Sequence, residues 1–311
     1  MRVLLRLLVL GLWLYATAGA SARTAPAVVI VTSEPSAPMM EAALALVSEL
    51  ERGGLSRYEM LQLTAAELAG AGPLNPKLFV AIGSQATLVL AQVDVRAPVL
   101  GILLPRQGFE RVLQSSGRRA SAHFSAIYLD QPLGRQLALI RLAMPDARRL
   151  GVLWGPESAL QAPALRSAAQ ANGLTLVEAA VGPDDGFFRG VKRVLEDADL
   201  LFALPDPQVF NSSSIQNILL TSFRAKVPLV AFSPAYVKAG ALMALHVTPT
   251  QVGRQAASLF RGVVQGKGLP AQPVYSSEFS VAVNEHVARS LELTLDAQAL
   301  GERLRLREAA P

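Results

Sequence analysis

Residues 200–237, LLFALPDPQVFNSSSIQNILLTSFRAKVPLVAFSPAYV, constrain the fold most. Two uninterrupted apolar runs, 200–204 and 228–232, each break abruptly into turn residues. Pro205-Asp206-Pro207 follows the first and Ser233-Pro234-Ala235-Tyr236 the second. Between them Ile215, Ile218, Leu219 and Phe223 recur at helical spacing. Strands without polar alternation are buried on both faces, and a helix joining two of them makes a parallel crossover. Ligands of such sheets sit beyond the carboxyl ends of the strands. Asp206, Phe210, Ser233 and Tyr236 therefore occupy positions where a ligand would be met.

The same alternation runs through the chain. Apolar runs at 27–33, 58–63, 78–82, 99–104, 126–129, 149–154, 174–181 and 240–247 are separated by helical patterns. In 39–52, Met40, Ala43, Leu44, Val47 and Leu50 align and Gly53-Gly54 closes the helix. A helix over 133–144 is stopped by Pro145. Another opens on Thr248-Pro249-Thr250-Gln251, where Thr248 caps, Pro249 takes the first helical position and Gln251 completes a capping box. Residues 105–125 read as a polar, irregular stretch and 274–283 as one last strand. The β-α units fall into two groups, 27–125 and 126–236. PKLFVAIGS (76–84) and RRLGVLWGP (148–156) share a basic residue, a buried strand and a glycine before a helix. One supersecondary unit is used in both groups, which predicts two α/β lobes facing each other across a cleft.

Charge narrows the function. Only 17% of the residues are charged, and the net charge of +5 is scattered. That excludes the basic patch a nucleic-acid-binding protein needs. The first residues, MRVLLRLLVLGLWLYATAGASA, read as a cleavable signal peptide over 1–22: Arg2 and Arg6, an apolar core at 7–15, then Ala20-Ser21-Ala22. The apolar core falls short of the ~20 residues that span a bilayer. The chain has no cysteine, which excludes disulfides, thiolate metal sites and a lipid anchor. A soluble protein of the periplasm is expected.

No catalytic constellation emerges. His123, His246 and His286 are isolated and show no metal-ligand spacing. His246 sits in an apolar run and reads as structural. There is no G-x-S-x-G elbow, no phosphate loop and no dinucleotide fingerprint. Asp184-Asp185 reads as a loop and helix cap. The chain is read as a binder without metal or cofactor, not an enzyme. Its candidate ligand contacts begin with Ser33, at the end of the first strand, and with Gly83, Ser84 and Gln85, which offer backbone N–H groups at a helix start suited to an anion. Asp206 is placed to meet an ammonium or a hydroxyl. Phe210, Tyr128 and Tyr236 either stack on the ligand or pack the hinge and core.

Four segments together, by their order and spacing, resemble a known family: LGRQLALIRLAMPDARRLG (133–151), residues 200–207, KVPLVAFSPAYVKAGALMALHVTPTQVG (226–253) and FSVAVNEHVARSLEL (279–293). The family is the periplasmic substrate-binding proteins of ABC transporters that includes tryptophan- and tyrosine-type members. The resemblance implies a type I periplasmic-binding-protein fold: two lobes, each a parallel sheet flanked by helices, with three crossovers near 125–130, 245–248 and 268–275, closing on a ligand by hinge motion. Lobe one would hold 23–125 and 248–270, lobe two 126–247 and 271–295, with a tail at 296–311. The ligand would be a small molecule, an amino acid or a related organic solute, and the partner an ABC permease. The alternative partner is a membrane sensor or receptor served by a monomeric ligand-sensing accessory protein. Two departures stand out: the lipobox cysteine of many members is absent, and Ser121-Ala122-His123-Phe124-Ser125 replaces a threonine-glycine turn.

Overall fold

The apolar runs form strands in two separate sheets. The computed structural model describes residues 25–182 and 186–309 of the chain. The expected signal peptide and the Asp184-Asp185 pair lie outside these residues. In chain order the strands are β1 (Val28–Thr32), β2 (Met60–Thr64), β3 (Leu78–Ile82), β4 (Val99–Leu104), β5 (Phe124–Tyr128), β6 (Arg149–Trp154), β7 (Thr175–Ala180), β8 (Leu200–Phe202), β9 (Leu229–Ala231), β10 (Met243–His246), β11 (Val274–Tyr275) and β12 (Ser280–Val283). The helices are α1 (Ala37–Arg52), α2 (Ala65–Leu68), α3 (Ser84–Gln92), α4 (Arg106–Ser116), α5 (Leu133–Ala143), α6 (Ala162–Ala171), α7 (Gly186–Asp197), α8 (Ile215–Arg224), α9 (Pro234–Ala239), α10 (Pro249–Val264), α11 (Glu285–Ser290) and α12 (Ala297–Ala309).

The first sheet has the order β2-β1-β3-β4-β5-β11 and the second β7-β6-β8-β9-β10-β12. Strand for strand the two orders correspond. All pairings are parallel except β10 with β12. The repeated unit is thus real at the level of topology, with β6 in the place of β1 and not of β3. β1, β3 and β5 are buried along nearly their whole length, as strands with helices on both faces must be. One face of the first sheet packs Val28, Ile30 and Val80 against Leu46 and Val47 of α1 and Ala256 and Phe260 of α10. The opposite face packs Phe79 and Val99 against Leu90, Phe109 and Phe124. The second sheet is covered in the same way by two further clusters.

The chain crosses between lobes at 129–132, 247–248 and 276–279. Two expected boundaries are corrected here. β5 pairs with β4, so 126–128 belong to lobe one. β11 pairs with β5, also in lobe one, so 271–275 do too. The run 274–283 is not one strand. Ser276-Ser277-Glu278 interrupts it, and the chain changes sheets there. Residues 105–125 are not irregular either. They hold α4, whose Phe109 and Val112 are buried and whose end is turned by Gly117 at φ 69°. The tail forms α12, packed on α5 and β12 through Leu300 and Leu304.

Candidate functional site

Both sheets reverse their strand order at equivalent places, between β1 and β3 and between β6 and β8. Such switch points leave a crevice at the strand ends, and each lobe fills its own with a side chain. In lobe one, Ser33 is buried and its Oγ accepts from Ala86 N at 2.9 Å, in the first turn of α3. Gly83 makes the turn at φ 91°, and Ser84 and Gln85 are exposed. In lobe two, Asp206 is 2% exposed. Its Oδ2 accepts from Glu157 N at 3.0 Å, Ser158 N at 2.8 Å and Ser158 Oγ at 2.9 Å. Its Oδ1 accepts from Gln208 N at 3.0 Å. A Cβ on Gly155 would fall 2.4 Å from Oδ2, so the turn after β6 closes over the carboxylate only because glycine stands there. Asp206, expected to meet a ligand ammonium or hydroxyl, thus accepts from four donors of its own lobe.

The aromatic candidates stand against other aromatic rings. Phe210 is buried, edge-on to Phe232 at 6.2 Å and to Tyr236 at 6.5 Å. The Tyr236 hydroxyl donates to Phe210 O at 3.1 Å, and burial pushes its pKa up. Tyr128 stands edge-on to Phe109 and Tyr275. Burial pushes its hydroxyl up to about 12.

Open space lies nearer the crossovers. A cavity of about 430 Å³ takes Pro105 and Arg106 from lobe one, Leu160, Gln161, Leu204, Phe232 and Ser233 from lobe two, and Leu129, Asp130, Gln131, His246 and Val247 from the crossing segments or beside them. Of the nine residues expected from sequence, Ser233 alone lines it. Asp130 caps α4: its Oδ2 accepts from Arg106 N at 2.5 Å. Burial pushes the Asp130 carboxyl up, and this N–H pulls it back in part. The Arg106 guanidinium donates to Glu110 Oε1 at 2.7 Å, which holds its proton more firmly still.

Two lining groups are unsatisfied. Gln131 is 5% exposed. Its Oε1 accepts from Arg135 Nη1 at 2.8 Å and its main-chain oxygen from Gln136 Nε2 at 2.9 Å. Its own Nε2 is buried and has no partner in the chain. His246 ends β10, and burial lowers its pKa from the usual 6.5, which keeps the ring neutral at pH 7. Its Nδ1 is likewise buried and lacks a well-formed hydrogen bond, although the nearby main chain of Ala244 offsets part of the pKa depression. Between the lobes, Gln107 Nε2 donates to Glu157 O at 2.9 Å and Arg111 pairs with the Glu157 carboxylate at 2.9 Å, joining α4 to lobe two. Among the described residues no group of His, Asp and Glu gathers as a metal site.

Sequence reasoning passed over Arg106, Gln131 and Phe232 and set His246 aside as structural. One signal was available. His246 is the polar residue near the end of the apolar run 240–247, where ligands of such sheets are met. Gln131 carried none, because its environment is made by Arg135 and by a crossover, neither visible as a motif.

Two α/β lobes of one strand order, joined by three crossovers around a shared cavity, define the two-lobed binding-protein class. Residues 72–303 match the family described as ABC transporter substrate binding protein, and the chain belongs to it. That is a family of binding proteins, not of enzymes. A tyrosine-binding protein of Clostridioides difficile (strain R20291) is 22% identical over 190 residues, which make up 60% of this chain. The chain spans about half of that relative's length (53%). Among solved structures, the ligand-free, open form of a substrate-binding protein with adhesive properties from Clostridium difficile superposes with a TM-score of 0.71 at 18% identity, covering 87% of this chain and 96% of that one. A Streptococcus pneumonia ABC domain in complex with L-Trp gives 0.60 at 17% identity, covering 89% and 98%. A periplasmic ribose ABC transporter structure from Conexibacter woesei gives 0.54 at 14%, covering 91% and 100%. These likenesses show the fold.

Proposed function

We propose that the protein captures a small organic solute in the cavity between its lobes and presents the closed, loaded form to an ABC permease. The observation that carries this is the cavity itself. Its walls come from both lobes and from the segments that join them, so filling it acts directly on the angle between the lobes. At about 430 Å³ it has the size of ordinary small-molecule sites. The tyrosine-binding relative and the L-Trp complex support an amino acid or a related aromatic solute as the starting point for a search. The signal-peptide pattern at 1–22 supports export to the periplasm. Among the described residues no helix is long and apolar enough to cross a membrane.

Thermal-shift screening of the protein lacking residues 1–22 tests this reading, with amino acids, aryl carboxylates and sugars as the panel. A solute present at 100 times its Kd adds about 2.7 kcal/mol of stability. A hit must also lower the radius of gyration in solution scattering. If nothing in the panel shifts the melt, or a hit leaves the radius unchanged, capture between the lobes is the wrong reading.

A further inference from the structure

Resting on that reading of the cavity, the charge on its walls bears on the solute's chemistry. We infer that the cavity takes a solute with an apolar body and an amine head, that Asp130 holds the amine, and that no carboxylate is needed beside it.

Asp130 stands in the first crossover, on the lining of the cavity, and is partly exposed. Its Oδ2 accepts from Arg106 N at 2.5 Å. Its Oδ1 accepts from no other described residue, and it is not shut away from solvent as Gln131 Nε2 and His246 Nδ1 are. A carboxylate offers about four lone-pair sites, so most of the accepting capacity of Asp130 is left for a ligand. An ammonium brings three donors and the opposite charge. Hydrogen bonds between ionised partners are roughly twice as strong as neutral ones. Asp206, the acid expected from sequence to take this part, accepts from four groups of its own lobe and does not reach the lining.

The balance of charge points the same way. Among the described residues, Asp130 and Arg106 are the charged members of the lining, and burial keeps His246 neutral at pH 7. The Arg106 cation is met by the Glu110 carboxylate at 2.7 Å. With that pair neutral, the negative charge of Asp130 is left without a counter-ion. Burial raises the Asp130 pKa, Arg106 works against that rise and Glu110 works with it. A carboxylate in that state is short of counter-charge, and an arriving ammonium supplies it. A carboxylate on the solute gains nothing comparable, because Arg106 is already paired and Asp130 repels a second anion. The rest of the solute meets Leu129, Leu160, Leu204, Phe232 and Val247, which suit an apolar body.

Calorimetric titration of the protein lacking residues 1–22 separates the two groups of such a head. One series is tyramine, L-tyrosine and 3-(4-hydroxyphenyl)propanoate. The other is tryptamine, L-tryptophan and 3-(indol-3-yl)propanoate. In the series that binds, the amine is expected within about threefold of the amino acid, and the propanoate about tenfold or more weaker than either. Asp130→Asn keeps an acceptor for Arg106 N but removes the charge. It should weaken the amine about tenfold or more without weakening the propanoate, a split that a merely loosened cavity would not give. The comparison on the native protein stands by itself if the variant does not fold. A propanoate that binds as tightly as its amine overturns the inference while leaving solute capture intact. So does an amine about tenfold weaker than its amino acid, or a folded Asp130→Asn protein that binds the amine as before. If neither series binds but another member of the panel does, the assigned solute class is wrong; if no solute binds at all, the capture reading falls with it.

Discussion

Asp206 ties the turns after β6 and β8 together by accepting from four donors, Glu157 N, Ser158 N, Ser158 Oγ and Gln208 N, of which the two on Ser158 are fully buried. Removing a charged acceptor from such a set costs about 3 kcal/mol, since each abandoned donor loses its water as well as its partner. Asp206→Ala is therefore expected to lower the melting temperature by roughly 6–12 °C, taking about 2–4 °C per kcal/mol for a unit of this size. Loss of ligand affinity at an unchanged melting temperature would instead return Asp206 to the site. His246 makes a second prediction at this scale. Its folded pKa is depressed by burial below the unfolded value of 6.5. Below pH 6.5 the unfolded chain takes up a proton that the folded one refuses, so stability must fall as pH drops from 6.5 toward the folded pKa. Comparing urea midpoints at pH 7.5 and 5.5 for the native protein and His246→Gln isolates this contribution. The native protein should lose more stability over that range than the variant, and an equal loss would mean the ring is already solvated.

Helix α10 shows how an element can be plain in sequence while its place in the fold is not. Thr248, Pro249 and Gln251 announce its start, and the capping box is present: Thr248 Oγ1 accepts from Gln251 N at 3.2 Å, and Gln251 Oε1 accepts from Thr248 N at 2.8 Å. Thr248→Ala should cost about 1 kcal/mol. The helix follows β10 of lobe two yet packs on α1 of lobe one, and Gly253 makes the approach possible. A Cβ there would lie 2.4 Å from Ala42 O and 3.0 Å from Leu46 N. Both are backbone atoms, which cannot step aside as a side-chain tip can. Gly253→Ala should destabilise by about 1–3 kcal/mol, read as a lower urea midpoint at unchanged slope. No change would mean the helices separate freely. The strands were legible because burial on both faces leaves long apolar runs, as in β3 and β4. The two-lobed plan followed from their grouping. What stayed hidden was the change of sheet within 274–283, because Val274-Tyr275 and the residues from Phe279 share one strand-like pattern although their partners are β5 and β10. The site was hidden for a related reason. Its polar members, Gln131 and His246, acquire their character from Arg135 and from burial, and both depend on chain segments far away in sequence.

At the scale of the molecule, two sets of contacts bear on how the lobes are held together. Arg135 ties two crossovers together: it donates to Gln131 Oε1 and to Ser276 O at 2.9 Å, pairs with Glu308 of α12, and lies 4.7 Å from the centre of the Phe279 ring. The second set is looser. Arg111 and Glu157 side chains are 58% and 35% exposed, and a pair so open to water is worth about 1 kcal/mol or less. Such a contact holds the lobes in position without locking them, as suits a protein that must release what it binds. Replacing Arg111→Glu sets two carboxylates against each other between the lobes. The ligand-free variant should then show a larger radius of gyration than the native protein in low-salt scattering, and a solute that binds the cavity should lose a few-fold in affinity. Both differences should fade in 1 M salt, where the screening length shrinks to about 3 Å. A radius that is unchanged at low salt would show that the Arg135 contacts set the lobe angle without help from the Arg111 pair. In that case Arg135→Met, which keeps apolar contact with Phe279 but gives up the cation and the bonds to both crossovers, should be the substitution that widens the protein.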